Sequence, residues 1–123
     1  MASPPSRADF RLAGTHVHVA GEGPPVLLVH SINAAAGAHE MRPLVAHLRT
    51  THTVYTPDLP GFGASERADV AYSPRLYTDA LHAVVQAIAQ RHGAAPLPAL
   101  ALSLGCEFLA RAAAERPAAF SRL

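Results

Sequence analysis

The chain has 123 residues, about the size of one domain, so two independent hydrophobic cores are not expected. Ten cationic residues, all arginine, stand against nine acidic ones, a balance that offers no basic surface to nucleic acid or to an anionic membrane. Half of the residues are apolar and only 15% are charged, which excludes intrinsic disorder.

Residues 1–10, with Pro4 and Pro5, read as a flexible leader, and residues 11–123 as the domain. Thr15 to Val19 alternates polar and β-branched residues in the manner of a short leading strand. Gly21, Gly23, Pro24 and Pro25 make a turn, and Val26-Leu27-Leu28-Val29 is a continuous apolar run suited to a strand covered on both faces. From His39 to Arg49, Met41, Leu44, Val45 and Leu48 recur on one helical stripe, with Pro43 in the first turn. Thr53 to Thr56 is the next strand, ended by Pro57 and followed by the turn-rich Asp58-Leu59-Pro60-Gly61-Phe62-Gly63. Pro74 opens a helix to about His92, with Leu76, Ala80, Leu81, Val84, Val85 and Ile88 on one stripe and Gly93 as its stop. Leu97 to Leu102 reads as a third buried strand. Ser103-Leu104-Gly105 turns it into a helix from about Cys106 to Glu115, closed by Pro117. Strand and helix alternate three times, the pattern of an α/β fold with a mostly parallel sheet flanked by helices.

Ligands of such sheets bind beyond the carboxyl ends of the strands, which directs attention to three loops: His30 to Gly37, Asp58 to Ser65, and Ala101 to Gly105. The last can form a nucleophile elbow. That turn requires small residues two before and two after its serine, where strand and helix nearly touch, and Ala101 and Gly105 meet the requirement. In an elbow Ser103 is thrust toward the crevice, and the first amides of the helix face a developing negative charge. The same pentapeptide also allows the plainer reading that Ser103 only caps a helix.

PVLLVHS, DLPGFGAS and ALSLG, in that order and spacing, resemble the α/β-hydrolase superfamily, in particular its small serine-dependent esterases, lipases, haloperoxidases and carbon–carbon bond hydrolases. The resemblance runs from about Val17 to the end and implies the N-terminal part of that fold, lacking its later strands and its cap. It implies that Ser103 is the nucleophile and that the amides of Ile32 and Leu104 form the oxyanion hole. His30 matches the histidine that organises the loop after the third strand, a supporting role shared with Gly105. Asp58 is expected to tie down its own loop, and Gly61 and Gly63 to permit its turn. Ser31 stands where the family more usually has glycine, which narrows the loop beside the oxyanion donors.

No histidine follows Ser103, and the acids that do, Glu107 and Glu115, fall in the helix after the elbow. The order serine, acid, histidine is thus left incomplete. The expectation is a serine hydrolase of a small ester or similar acyl bond, or of a carbon–carbon bond, present as an N-terminal segment with a missing C-terminal half or prone to self-association. From a different class comes a non-catalytic module that pairs through an open sheet edge at Leu97–Leu102. A dinucleotide-binding domain is disfavoured, because no Gly-x-Gly-x-x-Gly follows the first apolar strand. Cys106, the single cysteine, is expected to pack as a small apolar residue beneath the elbow. His16 and His18 lie two apart with no accompanying cysteine cluster or His-Glu-x-x-His pattern, so neither a metal nor any other cofactor is expected. One cysteine and no span-length apolar run read as a cytoplasmic protein.

Overall fold

The computed structural model describes residues 8–123. Six strands form one sheet: β1 (Phe10–Leu12), β2 (Thr15–Ala20), β3 (Pro25–Val29), β4 (Thr53–Asp58), β5 (Leu97–Ala101) and β6 (Phe120–Arg122), in the order β1-β2-β4-β3-β5-β6. The β1–β2 and β2–β4 pairs are antiparallel, and the β4–β3, β3–β5 and β5–β6 pairs are parallel. Three α-helices cover the faces: α1 (Arg42–Leu48), α2 (Pro74–His92) and α3 (Gly105–Glu115). This is the expected mostly parallel α/β sheet flanked by helices.

The sheet separates two apolar clusters. On one face Val17, Leu27, Val29 and Tyr55 meet Leu81, Val84 and Ile88 of α2 and Phe108, Leu109 and Ala112 of α3. On the other, Val26, Leu28 and Val54 meet Met41, with Leu44, Val45 and Leu48 of α1 half-buried around them. Full burial of one such side chain contributes roughly 1.5–3 kcal/mol, and the larger cluster therefore carries most of the stability.

Several sequence expectations need correction. Positions 1–7 of the expected leader lie outside the described residues, but positions 8–10 do not behave as a leader. Asp9 Oδ1 accepts the Val19 N–H at 2.9 Å, and Phe10 opens β1 under the guanidinium of Arg91, 3.8 Å from its ring centre. A three-residue strand is too short for alternation to register. The helix expected from His39 starts as a 3-10 turn at Ala38–Met41 and becomes α-helical at Arg42. Pro43 explains the break, since its ring clashes with the carbonyl four residues back, that of His39. β4 continues through Pro57 to Asp58. Pro57 sits opposite Val17, while the β3 ladder reaches only Leu27 with Tyr55, so the missing N–H leaves no bond to β3 unmade.

In α2 the Ser73 hydroxyl accepts the Leu76 N–H, Pro74 occupies the first turn, and Gly93 closes the helix at φ 92°. The buried stripe is rotated from the expected one: Tyr77, Thr78 and His82 are buried, whereas Leu76 and Ala80 are half-buried. β5 ends at Ala101 and is not covered on both faces. Leu97 and Ala99 are buried, but Leu100, in register with Leu28 on the α1 face, is 41% exposed. Nor is β5 an open edge throughout, because β6 pairs with it at Leu97 and Pro98.

Candidate active site

Ser103 lies in the short turn between the end of β5 at Ala101 and the start of α3 at Gly105. Its φ is 54°, in the left-handed region that a residue with a side chain enters at a cost of about 1–3 kcal/mol. The turn is closed by two backbone bonds, Gly105 N–H to the Leu102 carbonyl and Cys106 N–H to the Ser103 carbonyl, both 3.0 Å. Leu102 N–H bonds the Val29 carbonyl at 3.0 Å, holding the strand end against β3. Ser103 is exposed, and among the described residues its hydroxyl has no hydrogen-bond partner. The residue at the N-cap of α3 is Leu104, without a side-chain capping bond. Helix capping therefore does not account for Ser103.

Gly105 is buried against the loop after β3. A Cβ there would lie 2.2 Å from the His30 carbonyl oxygen, so α3 packs on the end of β3 with no room for a side chain at this position. That contact brings the Ser103 turn alongside the segment holding Ile32. Neither the Ile32 nor the Leu104 amide has a hydrogen-bond partner among the described residues.

His30 is fully buried. Its Nδ1–H donates to the Ser31 carbonyl at 2.5 Å and its Nε2 accepts the Leu59 N–H at 2.9 Å, an arrangement that fixes the neutral ring. Burial pushes its pKa below the ordinary histidine value, outweighing the Ser31 bond and the Asp58 charge. With both nitrogens committed, His30 ties the loop after β3 to the loop after β4. Ser31 does not crowd the oxyanion donors: its hydroxyl contacts both carboxylate oxygens of Glu40 at 2.7 Å, and its N–H donates to Glu40 Oε1 at 3.1 Å. Glu40 is a supporting residue the sequence reading missed. No spacing rule marks it, because the loop folds back on itself to reach it.

Asp58 holds the loop after β4. Its Oδ1 accepts the Ala38 N–H at 2.7 Å, and its Oδ2 accepts the Ala64 N–H at 3.0 Å and faces His18 Nε2 at 2.7 Å. Burial alone would raise its pKa, but these bonds outweigh it and keep the carboxyl below its usual range. A Cβ at Gly63, φ 50°, would lie 2.1 Å from Asp58 Oδ1, so the loop can close only around glycine.

Cys106 is exposed, not packed beneath the elbow, and its Sγ donates to the Ala101 carbonyl at 3.3 Å. Glu107 pairs with Arg111, and Glu115 with Arg75 and His82; neither acid is directed to Ser103. A cavity of about 680 Å³ lies away from Ser103, between α1 and β2, lined in part by His18, Arg42, Arg49 and Asp58. The antiparallel β1–β2 pair also brings Asp9 beside His16 and His18, supplying a third donor where the sequence offered two histidines alone. No helix among the described residues is long and apolar enough to cross a membrane.

Comparison with known families is decisive at this point: the family model of the alpha/beta hydrolase fold matches residues 24–123. The chain belongs to the α/β hydrolase fold family. Among curated α/β hydrolases it is 39% identical over 102 residues to a pimeloyl-[acyl-carrier protein] methyl ester esterase of Xylella fastidiosa strain 9a5c, an alignment covering 83% of this chain and 36% of that protein. The chain thus spans about a third of the length of that relative. Among solved structures it superposes on a meta-cleavage product hydrolase with a TM-score of 0.78 at 23% identity, covering 93% of this chain and 42% of the other. An α/β hydrolase fold protein of Burkholderia ambifaria gives 0.74 at 25% identity, covering 92% and 40%.

Proposed function

We propose that this α/β hydrolase chain carries the nucleophile and the oxyanion donors of a serine hydrolase acting on a small carboxylic ester. Ser103 attacks the ester carbonyl, and the Ile32 and Leu104 amides receive the oxyanion. The observation that carries the reading is the left-handed backbone of Ser103: a strained, exposed serine with no capping bond stands where glycine would serve a purely structural turn without strain. The esterase name of the Xylella relative supports an ester over a carbon–carbon bond as the substrate class.

His30 serves as a positioning residue, because both of its ring nitrogens are already bonded. No histidine follows Ser103 in this sequence, so the hydroxyl has no identified base, and oxyanion donors alone leave about 10³–10⁴-fold acceleration over water. The test is labelling by a fluorophosphonate probe, with the adduct located by mass spectrometry. A slow adduct at Ser103 that quickens with rising pH, and disappears in Ser103→Ala, is expected. A folded chain that reacts elsewhere, or not at all, overturns the proposal. The alternative of a non-catalytic module pairing through β5 has less support, since β6 already occupies part of that edge.

A further inference from the structure

We propose that Asp9, His16 and His18 form a binding site for a divalent transition-metal ion, Zn²⁺ or a close analogue, at the β1–β2 edge of the sheet. His16 and His18 are two residues apart on β2 and therefore project from one face. Their rings lie 4.5 Å apart, centre to centre. Asp9 comes back over them from the start of β1, with its Oδ2 3.1 Å from His16 Nε2 and 3.2 Å from His18 Nδ1. One ligand atom from each of the three residues falls within a 4.8 Å span. Ligands about 2.0–2.1 Å from a tetrahedral zinc stand roughly 3.3 Å from one another, so the two measured separations are close to those of a closed coordination face. Two imidazoles and one carboxylate suit zinc, cobalt, nickel or copper better than calcium or magnesium, which take oxygen ligands.

Two features beyond the cluster point the same way. Asp9 Oδ1 is held by the Val19 N–H, which leaves Oδ2 to face the rings. His18 Nε2 lies 2.7 Å from Asp58 Oδ2, a buried carboxylate placed as the outer partner that metal-bound histidines almost always have. That outer contact creates the decisive asymmetry. A neutral imidazole has one N–H; given to Asp58, it leaves the bare lone pair of Nδ1 facing the Asp9 carboxylate. A metal ion placed there meets the ring nitrogens of His16 and His18 and the Asp9 carboxylate at once. Bound there, the ion would fasten the start of β1 to β2 and, through His18 and Asp58, to the loop after β4. The site is independent of Ser103.

Cobalt provides the test. Titrating the 123-residue chain with Co²⁺ is expected to produce visible absorption bands that saturate at one ion per chain and are abolished by Zn²⁺, and Zn²⁺ is expected to raise Tm. His18→Ala and, separately, His16→Asn should weaken Co²⁺ binding at least about tenfold. His47→Ala, an exposed histidine on α1, should leave it unchanged. Circular dichroism establishes that each variant is folded. Absence of bands above those of the aqueous ion, or equal binding by folded His18→Ala and His16→Asn, overturns the proposal.

Discussion

At position 105 the packing leaves no space for even a methyl group, because a Cβ would lie 2.2 Å from the His30 carbonyl. Gly105→Ala is expected to cost about 1–3 kcal/mol as α3 and the end of β3 are forced apart, measurable by urea denaturation; an unchanged midpoint would show that the two elements can separate freely. Ser103 is the opposite case. Ser103→Gly relieves the left-handed strain at φ 54° and should stabilise the fold by up to about 1 kcal/mol while abolishing the probe adduct. The sharp turn at Ser103 and the tight packing at Gly105 were legible because an elbow imposes size limits at fixed offsets in the sequence. Glu40 was not, since a carboxylate that reaches nine residues back to the Ser31 hydroxyl obeys no periodicity. Asp9 escaped notice for a similar reason: its partners lie across a hairpin, and its neighbours Pro4 and Pro5 suggested an untethered terminus.

The helices and strands themselves were more readable than their faces. Pro74 and Gly93 delimit α2 as expected, and its cap predicts a measurable loss: Ser73→Ala removes the acceptor for the Leu76 N–H and should cost about 1 kcal/mol, seen as a lowered denaturation midpoint with α2 otherwise intact. The stripe that α2 buries was misjudged because α3 packs beside it and draws Tyr77 and His82 inward. Tyr77 packs at a tilt against Phe108 with 4.9 Å between ring centres, and His82 meets Glu115 at 2.8 Å. Hydrophobicity along one helix cannot register a partner helix that buries polar and aromatic groups together. In the same way Leu97 to Leu102 read as buried on both faces by composition alone, whereas α1 covers β3 and β4 but leaves Leu100 exposed.

For the molecule as a whole, the ionisable groups of the loops set an acid limit in two stages. The folded state keeps His30 neutral with its pKa below the ordinary 6.5. Above that value both folded and unfolded chains are neutral there; as pH falls below it, the unfolded chain takes a proton the folded one refuses, and stability declines. Asp58, Glu40 and Asp9 have folded pKa values below their ordinary 3.8, 4.5 and 3.8, so their stabilisation is present above that range and is lost as pH falls through the folded values. Thermal melts between pH 8 and 3 should show a decline in Tm beginning near pH 6.5 and steepening below about pH 4. A Tm that is flat from pH 7 to 5 would contradict the assignment for His30. The strand order has a different consequence, one of timing. Leu27 of β3 is flanked by Tyr55 and Ala99, so this strand is synthesised before both neighbours and, for Ala99, long before. Its second row of backbone groups waits until α2 has emerged, and such long-range pairings are slow to form and exposed to aggregation meanwhile. A chain ending short of residue 97 would retain β3 and β4 but lack both β5 and the turn at Ser103 that it carries, so the central ladder of the sheet is completed late.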